Sequence, residues 1–580
     1  TLTISFGTNP TITTVNTNVN GTFSLTFIID TQIVGTKIIT VTGMFIDTTA
    51  FVIVPKIITL IPAEGYVGRE VTIEGTGYNE LGTITVQFGT HNTITTTTTS
   101  ANGTFSITFI VDTQPGTNTT VRAMDNNSNF ATTIFRIKGD IILISPESGV
   151  VGTPVTVIGR GYVAGIVRID FGTHETITTT TANNNGTFST YFYVSIQVYG
   201  SKVVTAEDIS GANIDTTEFK ILPQIISLTP LSGIIGDTVT ILGNGYDDTL
   251  EVGISFGTSE TITTSLVSAN GTFSTTFIIN TQSAGTKVIT ATNTVEQPTT
   301  TFVIVGYMTI SPTSGYVGDE VTVEGTGYVV NDLVSIDFGT HQTITTTVTS
   351  ESGTFSLTFA IDTQFAGTKL ITARDSIQQG SRELRILPKI TLSPAFGSGE
   401  AIVEVRGTGF GSETVVQIDF GTSLTITTAQ TDINGTFSAN FPVSTQTGGQ
   451  KVVTATDITN NLATEVFRIT SDITILIPIS GKVGEVITVI GRGFDDTVRI
   501  DFGIEQTITT TIASASGTFS ATFKINTQPQ GSITITCSYG GEWYEADTTV
   551  FTIIPDITLI APEQNYVDEP ITLTGTGYKD

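Results

Sequence analysis

Apolar and polar residues alternate along short stretches of this chain, and glycine, proline and asparagine separate one stretch from the next. Alternation with a period of two places the apolar side chains on one face of a β-strand. Within residues 55–138 this pattern predicts seven strands, at 57–61, 71–73, 83–88, 93–99, 104–111, 119–123 and 132–137. Apolar spacing of three and four never persists over the length of a helix, so we expect almost no helix.

The strand pattern recurs along the whole chain with a nearly constant period. Its Phe-Gly pair begins at Phe6, Phe88, Phe171, Phe256, Phe338, Phe420 and Phe502, in steps of 82, 83, 85, 82, 82 and 82 residues. A turn follows in step, and its Asn-Gly sequence at 102–103 predicts a β-hairpin between the strands at 93–99 and 104–111. A period held this closely predicts a tandem array of small domains.

Seven short strands separated by turn signals are typical of an immunoglobulin-like sandwich. The predicted fold class is therefore all-β: a tandem array of about seven immunoglobulin-like β-sandwich repeats of 82–85 residues that forms an extended rod. Short connections favour the rod because they cannot act as flexible tethers. We place the C-terminal part of a repeat at 1–54, complete repeats at 55–138, 139–222, 223–305, 306–387, 388–470 and 471–554, and the N-terminal part of a repeat at 555–580.

The two partial repeats are complementary in sequence. Residues 575–580 followed by residues 1–8 read GTGYKDTLTISFGT, which nearly matches GNGYDDTLEVGISFGT at 243–258. Two explanations stay open: the sequence is a window of a longer array, or the last strands of one subunit complete the first half-domain of the next. Both explanations predict head-to-tail continuation.

A motif near the start of each repeat carries a family resemblance. Residues 62–78 read PAEGYVGREVTIEGTGY and precede Val86-Gln87-Phe88-Gly89, and the same signature stands at 146–162, 230–246, 312–328 and 478–494. The unit that begins at Pro394 departs from the motif at 396–399 but keeps Gly-Thr-Gly-Phe at 407–410. Over its whole length the chain resembles the IPT/TIG branch of immunoglobulin-like folds. In long acidic arrays, this resemblance implies a prokaryotic cell-surface or extracellular-matrix protein of the S-layer kind.

Charge and composition narrow the classes of partner. The chain carries 52 acidic and 24 basic residues, a net charge of −28, which disfavours binding to nucleic acid or anionic lipid. It has no run of 18 apolar residues, so membrane insertion is not expected. Cys537 is the only cysteine, which excludes an internal disulfide. Because the other complete repeats have alanine at its place, we interpret Cys537 as a small buried residue.

Residue types that perform catalysis show no fixed arrangement from repeat to repeat. His91, His174 and His341 share one position after Phe-Gly-Thr, but other repeats place Asn, Ser or Glu there. We interpret these histidines as surface turn residues without fixed partners. The sequence offers no recognisable metal-ligand cluster, phosphate-binding loop or nucleophile elbow. We therefore predict no catalytic or cofactor-binding residues and a protein that is not an enzyme.

One polar residue recurs in every repeat, usually within Thr-Gln-x-x-Gly-Thr-Lys. A glutamine side chain can both donate to and accept from loop backbone, so we predict that it fixes the loop in which it lies. The series consists of Gln32, Gln114, Gln197, Gln282, Gln364, Gln446 and Gln528.

Exposed loops offer candidate modification and ion sites. N-glycosylation sequons stand at Asn20, Asn102, Asn118, Asn126, Asn185, Asn270 and Asn434. Threonine tracts such as 95–99 are either simple strand formers or carriers of O-linked glycans. Candidate calcium ligands are Asp247, Asp248, Asp495 and Asp496, with Asp125, Asp208, Asp375 and Asp457 near another turn. The alternative for all these carboxylates is solvated surface charge.

These observations predict a non-enzymatic structural protein of the cell surface or extracellular matrix, whose rigid repeats continue head-to-tail into a filament, sheath or S-layer. The expected partners are copies of itself and cell-surface glycans, without nucleic acid or membrane insertion, and calcium is the one candidate cofactor. The alternative is the stalk of a large adhesin that presents a binding domain outside this sequence. A carbohydrate-active accessory array is disfavoured because exposed aromatic residues are few, and the only tryptophan, Trp543, lies in an atypical loop at 539–544.

Overall fold

The computed structural model describes residues 1–540 and 545–579, and its regular elements are all β-strands. These residues contain no helix, and hence no helix that could cross a membrane. Trp543 lies outside the described residues. The structure divides into two compact units: Thr1–Ile279 with Thr286–Val303, and Asn280–Gly285 with Ile304–Asp580.

The first unit begins with a half-sandwich, a single sheet without a facing layer. Its strands are β1 (Leu2–Phe6), β2 (Asn9–Val15), β3 (Gly35–Thr42) and β4 (Ile46–Ile53). They pair in the order β2-β1-β3-β4. Residues 22–30, which correspond to a strand in the complete repeats, form no strand here because the sheet to which that strand belongs is missing.

Residues 55–138 form a complete two-layer sandwich of eight strands. These are β5 (Lys56–Ile61), β6 (Glu64–Gly65), β7 (Glu70–Thr76), β8 (Thr83–Phe88), β9 (His91–Thr98), β10 (Phe105–Ile110), β11 (Asn118–Asp125) and β12 (Phe130–Ile137). One sheet has the order β10-β7-β5, and the other has the order β6-β12-β11-β8-β9. Strand β6 runs parallel to β12, whereas the other neighbours are antiparallel. This two-sheet arrangement is immunoglobulin-like and confirms the predicted all-β sandwich repeats.

The other two complete repeats of the first unit have the same order. Residues 139–222 contain β13 (Asp140–Ser145), β14 (Ser148–Gly149), β15 (Pro154–Arg160), β16 (Gly165–Phe171), β17 (His174–Ala182), β18 (Phe188–Tyr193), β19 (Gly200–Asp208) and β20 (Ile214–Ile221). Residues 223–305 contain β21 (Gln224–Thr229), β22 (Ser232–Gly233), β23 (Thr238–Asn244), β24 (Val252–Phe256), β25 (Ser259–Ser265), β26 (Phe273–Ile278), β27 (Gly285–Thr292) and β28 (Thr299–Ile304).

The second unit contains three complete repeats and a strand pair. Its strands are β29 (Tyr307–Ser311), β30 (Ser314–Gly315), β31 (Glu320–Thr326), β32 (Leu333–Phe338), β33 (His341–Val348), β34 (Phe355–Ala360), β35 (Gly367–Arg374) and β36 (Gln379–Ile386) in the first repeat. The second repeat has β37 (Lys389–Ser393), β38 (Phe396–Gly397), β39 (Ile402–Thr408), β40 (Val415–Phe420), β41 (Ser423–Gln430), β42 (Phe437–Pro442), β43 (Gly449–Asp457) and β44 (Leu462–Ile469). The third has β45 (Asp472–Ile477), β46 (Ser480–Gly481), β47 (Val486–Arg492), β48 (Thr497–Phe502), β49 (Glu505–Ile512), β50 (Phe519–Lys524), β51 (Gly531–Tyr539) and β52 (Glu545–Ile553), and the pair is β53 (Asp556–Ala561) with β54 (Thr572–Thr576).

Each sandwich encloses its own aromatic core. In residues 55–138, the fully buried Phe88 ring lies 5.3 Å from Phe109 and 5.9 Å from Phe135, between ring centroids. The alternation that predicted the strands also determines which face of each strand is buried. In β7, Val71 and Ile73 are buried, and Thr72 between them is only half-buried. Burying such large aromatic side chains supplies much of the hydrophobic stabilisation of a small domain.

The structure corrects two details of the predicted strands. The Asn-Gly turn at 102–103 does not form a hairpin, because β9 pairs with β8 in one sheet and β10 pairs with β7 in the other. The hairpin lies instead at the Phe-Gly pair, where Phe88 faces His91 across a two-residue connection. The second difference is β6, a two-residue strand within a segment predicted to be a turn.

Candidate functional site: the junction between repeats

Very short connections join consecutive repeats. In the first unit, β12 ends at Ile137 and β13 begins at Asp140, and β20 ends at Ile221 before β21 begins at Gln224. The second unit has the same two-residue connection at 387–388, 470–471 and 554–555. Because so short a connection brings the loops of adjacent repeats into contact, the junction is the candidate functional site.

One aromatic residue lies at the centre of each junction. The buried Tyr162 ring packs edge-on against Phe188, with centroids 5.0 Å apart. The Tyr162 amide donates to the Gly186 carbonyl at 3.1 Å, and the Tyr162 carbonyl accepts from the Gly116 amide of the preceding repeat at 3.1 Å. Equivalent pairs of backbone bonds are made by Tyr78, Tyr246, Tyr328 and Phe410. A single residue therefore contributes to its own core and links two repeats through its backbone.

The glycine of the Asn-Gly turn fits closely against the preceding repeat. Gly186 has φ of +79°, and a Cβ atom there would lie 2.7 Å from the Tyr162 carbonyl oxygen and 2.8 Å from the Pro115 Cα atom. Similar contacts surround Gly103, Gly271, Gly353, Gly435 and Gly517. Turn geometry alone favours glycine at this position. The close approach of the preceding repeat is a second constraint that the sequence did not predict.

The recurrent glutamine holds the loop that makes this contact. Gln364 is 2% exposed, its Nε2 donates to the Phe338 carbonyl at 3.0 Å, and its Oε1 accepts from the Thr340 amide at 3.3 Å. Two residues later, the Ala366 amide donates to the carbonyl of Phe410 in the next repeat at 2.8 Å. These bonds are the contacts that a loop-fixing role requires, and their effect on stability stays a prediction.

The other glutamines of the series occupy the same position. Equivalent pairs of backbone bonds are made by Gln32, Gln114, Gln197, Gln446 and Gln528. Gln282 is also buried, and it donates to Asn280.

A buried aspartate accepts a hydrogen bond from the backbone amide that follows the aromatic residue. Asp208 is 3% exposed, and its Oδ2 accepts from the Val163 amide at 3.0 Å. Burial alone would raise the pKa of the Asp208 carboxyl, but hydrogen bonds from Ser210, the Val163 amide and Asn213 outweigh it and hold the pKa below its ordinary value. Asp125, Asp375 and Asp457 accept from Asn79, Val329 and Gly411 in the same way. Asp125 and Asp457 are also 3% exposed, so solvated surface charge does not describe these two carboxylates or that of Asp208.

The sixth complete repeat replaces this aspartate with an aromatic residue. Tyr539 stands where Asp457 stands in the preceding repeat, and its ring lies 5.5 Å from the Phe494 ring between centroids. A Cβ atom on Gly448 of the preceding repeat would lie 1.8 Å from the Tyr539 hydroxyl. The glycine at 448 therefore leaves the space that the tyrosine hydroxyl occupies.

The last residue of the threonine tract also supports the junction loop. Thr99 is 3% exposed, its Oγ1 accepts from the Gly82 amide at 2.8 Å, and it donates to the Asn79 carbonyl. Thr349 and Thr431 make the equivalent bonds. Strand propensity does not explain this position, because its hydroxyl is buried and hydrogen-bonded. The threonines of β9 before it lie on an edge strand of the sheet and are exposed or half-buried.

The histidines have partners that the sequence did not reveal. His91 Nδ1 lies 2.8 Å from the Asp112 carboxylate, and His341 Nδ1 contacts Asp362. His174 Nδ1 lies 3.1 Å from the hydroxyl of Ser195. Each partner stands 21 residues after its histidine, so the interpretation without fixed partners was wrong. The side chains of His91 and His341 are each about half exposed, which is consistent with a surface position.

The candidate calcium ligands lie in short acidic loops. Hydrogen bonds from the Thr249 hydroxyl and amide to Asp247 hold the pKa of its carboxyl below the ordinary value. Asp495 accepts from the amide of Asp496, and Asp248 follows Asp247 in its loop. Within residues 1–540 and 545–579, no group of three or more His, Cys, Asp or Glu side chains is arranged to hold a metal ion.

The sequon asparagines and the cysteine have contrasting positions. The side chains of Asn20, Asn102, Asn118, Asn126, Asn185, Asn270 and Asn434 are all exposed.

Cys537 is fully buried opposite Ile500, and burial raises the pKa of its thiol to about 12. The thiol therefore occupies the core position that alanine fills in the other complete repeats.

Polar side-chain contacts at the junctions differ from one repeat to the next. In the first unit, Lys220 lies 2.6 Å from Glu296, and Arg136 donates to the Ala212 carbonyl. In the second unit, Arg492 lies 2.9 Å from Glu400. Such exposed contacts contribute about 0–1 kcal/mol each. The backbone contacts recur and the side-chain pairs vary, so the junction is defined mainly by backbone geometry.

Comparisons with known proteins give no family. No family model and no curated protein sequence matches this chain. Among solved structures, it is similar to the eight N-terminal immunoglobulin domains of Down syndrome cell adhesion molecule, at 10% identity over 96% of this chain and 95% of that chain, with a TM-score of 0.17. It is also similar to invasin, a bacterial integrin-binding protein, at 14% identity over 59% of this chain and 82% of that one, with a TM-score of 0.16. A match to alpha-2-macroglobulin of E. coli has 10% identity, covers 96% of this chain and 51% of that chain, and has a TM-score of 0.14. The strand order itself identifies each complete repeat as immunoglobulin-like.

Proposed function

We propose that this chain is a non-enzymatic structural component of the cell surface or extracellular matrix. Its repeats, similar to IPT/TIG domains, would continue head-to-tail within a filament, sheath or S-layer. The observation that carries this proposal is the recurrent junction, in which a backbone amide of one repeat donates to the aromatic residue of the next. A protein that only encloses an active site has no need to repeat one junction in this way. The net charge of −28 supports solubility of such a long array in water.

Immunogold labelling of intact, unpermeabilised cells tests the proposal. We expect antibodies against the chain to label a continuous layer or filament at the cell surface. Labelling that appears only after permeabilisation would overturn the extracellular assignment. The alternative function, an adhesin stalk, predicts sparse label between the cell envelope and a distal binding domain. The pattern of the label therefore separates the two functions.

The same proposal includes glycans and calcium as additional components of the surface array. The exposed sequon asparagines could carry N-linked glycans, and glycopeptide mass spectrometry of the native protein measures their occupancy. Calcium held by the acidic loops at Asp247 and Asp495 would stiffen the array. A melting temperature that does not change on chelation would remove calcium from the proposal.

A further inference from the structure

Two tyrosine side chains project from one strand onto the outer surface of repeat 139–222. Tyr191 and Tyr193 of β18 are 59% and 60% exposed. Their ring centroids lie 5.8 Å apart, and the ring planes are at 87° to each other. Phe192 between them is buried in the core, so the two tyrosines share the outer face of the strand. A pair of large aromatic side chains is therefore left in contact with water.

The fold does not require tyrosine at either position. The other complete repeats form the same strand in the same sheet, and none of them has an aromatic residue at these two places. The residues equivalent to Tyr191 are Thr108, Thr276, Thr358, Asn440 and Thr522. The residues equivalent to Tyr193 are Ile110, Ile278, Ala360, Pro442 and Lys524. Because exposed aromatic surface does not stabilise the folded repeat, the pair indicates a binding role.

The two tyrosines belong to an uncharged sheet face. Tyr191 lies opposite Thr156 of β15, which in turn lies opposite Ser145 of β13. Tyr193 lies opposite Pro154. The remaining row of this face consists of Leu143, Ile158 and Ser189. We call these residues together the tyrosine face. All of them are uncharged, although the chain as a whole carries a net charge of −28.

The size of the tyrosine face favours a small ligand over a protein. Three strands about 4.8 Å apart, each contributing about six residues with a rise of about 3.3 Å, span roughly 300 Å². A specific protein–protein interface takes about 800 Å² from each partner. A sugar ring is similar in size to a tyrosine ring, so a few consecutive sugar units would cover the face.

The chemistry of the tyrosine face also matches a sugar chain. A sugar ring has C–H groups that pack on an aromatic ring and hydroxyl groups that form hydrogen bonds. Since the rings of Tyr191 and Tyr193 are perpendicular, a sugar stacked on one ring meets the edge of the other. The hydroxyls of Thr156 and Ser145 lie in the same row as Tyr191. With no cationic group on this face, an acidic sugar would gain nothing and would be repelled by the acidic chain.

We propose that the tyrosine face of repeat 139–222 binds an uncharged polysaccharide of the cell surface or extracellular matrix. This inference rests on the proposed function, because a surface protein meets such polymers outside the cell, and it deepens that function by naming a partner and a site. The scarcity of exposed aromatic residues disfavoured an array of carbohydrate-binding repeats. The site is accordingly confined to one repeat, and the equivalent faces of the other complete repeats lack the aromatic pair.

Affinity electrophoresis of the 580-residue chain tests the proposal. Each native gel contains one soluble polysaccharide: neutral galactomannan, xyloglucan, mixed-linkage β-glucan or dextran, or anionic alginate. We expect at least one neutral polymer to slow the chain relative to a gel without polymer, and alginate to leave its migration unchanged. If none of the four neutral polymers slows the chain, or if alginate slows it as much as they do, the inference is overturned.

A double variant tests whether the tyrosine pair carries the binding. Tyr191→Thr with Tyr193→Ile introduces the residues that repeat 223–305 has at these positions, so the fold accepts them. The double variant should bind the retarding polymer at least tenfold more weakly. The control is Tyr66→Val, which removes a 43% exposed tyrosine of repeat 55–138 in favour of the residue at the equivalent position 150. Equal retardation of wild type and the double variant, or equal losses in the two variants, would overturn the site.

Nitration of tyrosine locates the contact without any substitution. Tetranitromethane modifies exposed tyrosine rings, and mass spectrometry of peptides measures the rate at each residue. The retarding polymer should slow nitration of Tyr191 and Tyr193 at least fivefold and leave the rate at Tyr66 unchanged. Equal rates at Tyr191 and Tyr193 with and without the polymer would place the binding elsewhere and overturn the inference.

A second copy of the chain is the other occupant to be tested. If sedimentation velocity shows that the wild-type chain associates and the double variant does not, while no neutral polymer binds, the tyrosine face joins copies of the chain and the inference is overturned.

These results are separable from those of the labelling experiment. Surface label without polysaccharide binding overturns only this inference and still supports a structural protein of the cell surface. Label confined to the cell interior overturns the proposed function whether or not the purified chain binds a polymer.

Discussion

The side-chain amide of Gln364 donates a hydrogen bond of 3.0 Å to the backbone carbonyl of Phe338, which lies 26 residues earlier in the chain. Its carbonyl oxygen accepts from the Thr340 amide. Leucine at position 364 would leave both backbone groups unsatisfied in a site where the glutamine is 2% exposed. We therefore expect Gln364→Leu to lower the free energy of unfolding of repeat 306–387 by about 2–3 kcal/mol.

Hydrogen exchange measured by mass spectrometry resolves this effect by repeat. Peptides from residues 306–387 should lose protection, while those from 471–554 should keep it. The matched control is Gln342→Leu, because Gln342 is exposed in β33 of the same repeat. Equal protection in the two variants would show that Gln364 does not fix its loop.

Substitution of the turn glycine should separate turn strain from junction packing. Gly435 and Gly21 have φ of +74° and +73°, so alanine costs about 1–2 kcal/mol at either position through the left-handed backbone. Only at Gly435 would the added Cβ atom meet other atoms, 2.1 Å from the Phe410 carbonyl oxygen and 2.9 Å from the Phe365 Cα atom. Gly435→Ala should therefore cost about 1–3 kcal/mol more than Gly21→Ala.

The two glycine variants are compared by urea unfolding with hydrogen exchange as the readout. Gly435→Ala should reduce protection both at residues 364–367 and around Phe410, because the clash lies between two repeats. Gly21→Ala should affect only residues 1–54. Indistinguishable losses would mean that the preceding repeat does not constrain the turn.

Repeat 388–470 should lose stability in acid through Asp457. Burial raises the pKa of this carboxyl, but hydrogen bonds from Asn461, Thr459 and the Gly411 amide outweigh it and hold the pKa below its ordinary value of 3.8. A folded-state pKa below the unfolded value gives stability that is present above pH 3.8 and is lost as the pH falls through the folded-state pKa.

Asp457→Asn tests this pH dependence. The variant keeps the size of the side chain but loses the charge, so it should be less stable at pH 7 by about 2 kcal/mol. Below pH 4, the difference from wild type should shrink, since the wild-type carboxyl is then being protonated. Denaturant unfolding of both chains from pH 7 to pH 2 measures the difference, and a difference that is constant over this range would contradict the prediction.

The thiol of Cys537 should be inert in the folded chain. The residue is fully buried, and its pKa of about 12 leaves almost no thiolate at pH 8. Iodoacetamide should therefore modify the native chain far more slowly than the chain in denaturant, where one thiol per chain reacts. Cys537→Ala gives the background. Fast modification without unfolding would contradict the burial of this side chain.

The sequence predicted the repeats, the all-β class and the immunoglobulin-like sandwich because these follow from local patterns. Alternating apolar residues decide which face of a strand is buried, and the constant spacing of Phe-Gly decides how often the domain recurs. The Asn-Gly turn at 102–103 was wrongly predicted to be a hairpin for a related reason. A turn sequence shows that the chain reverses, but not whether the next strand joins the same sheet.

The junction was less accessible to sequence reasoning. Recurrence singled out Gln364 and its equivalents, but the partner of Gln364 lies 26 residues away and is a backbone group, which leaves no residue-specific signal. Asp208 recurs in three other repeats as well, yet whether such a carboxyl is solvated or buried depends on loops brought together by folding. The partner of His174 was equally hard to identify, because the residue 21 positions later is polar in the repeats that lack a histidine as well.

The junction has a consequence for how the length of the array can change. Tyr246, Tyr328 and Phe410 each accept from a loop in front of them, and each of their repeats ends in a loop of the same kind. Each of these three repeats therefore contacts the repeat before it through its aromatic residue and the repeat after it through the loop that follows its buried glutamine. A gene rearrangement that adds or removes one whole repeat would keep the recurrent backbone contacts at most new junctions. Removal of repeat 388–470 is the exception, because it would place Ala366 where Gly448 now leaves space for the Tyr539 hydroxyl.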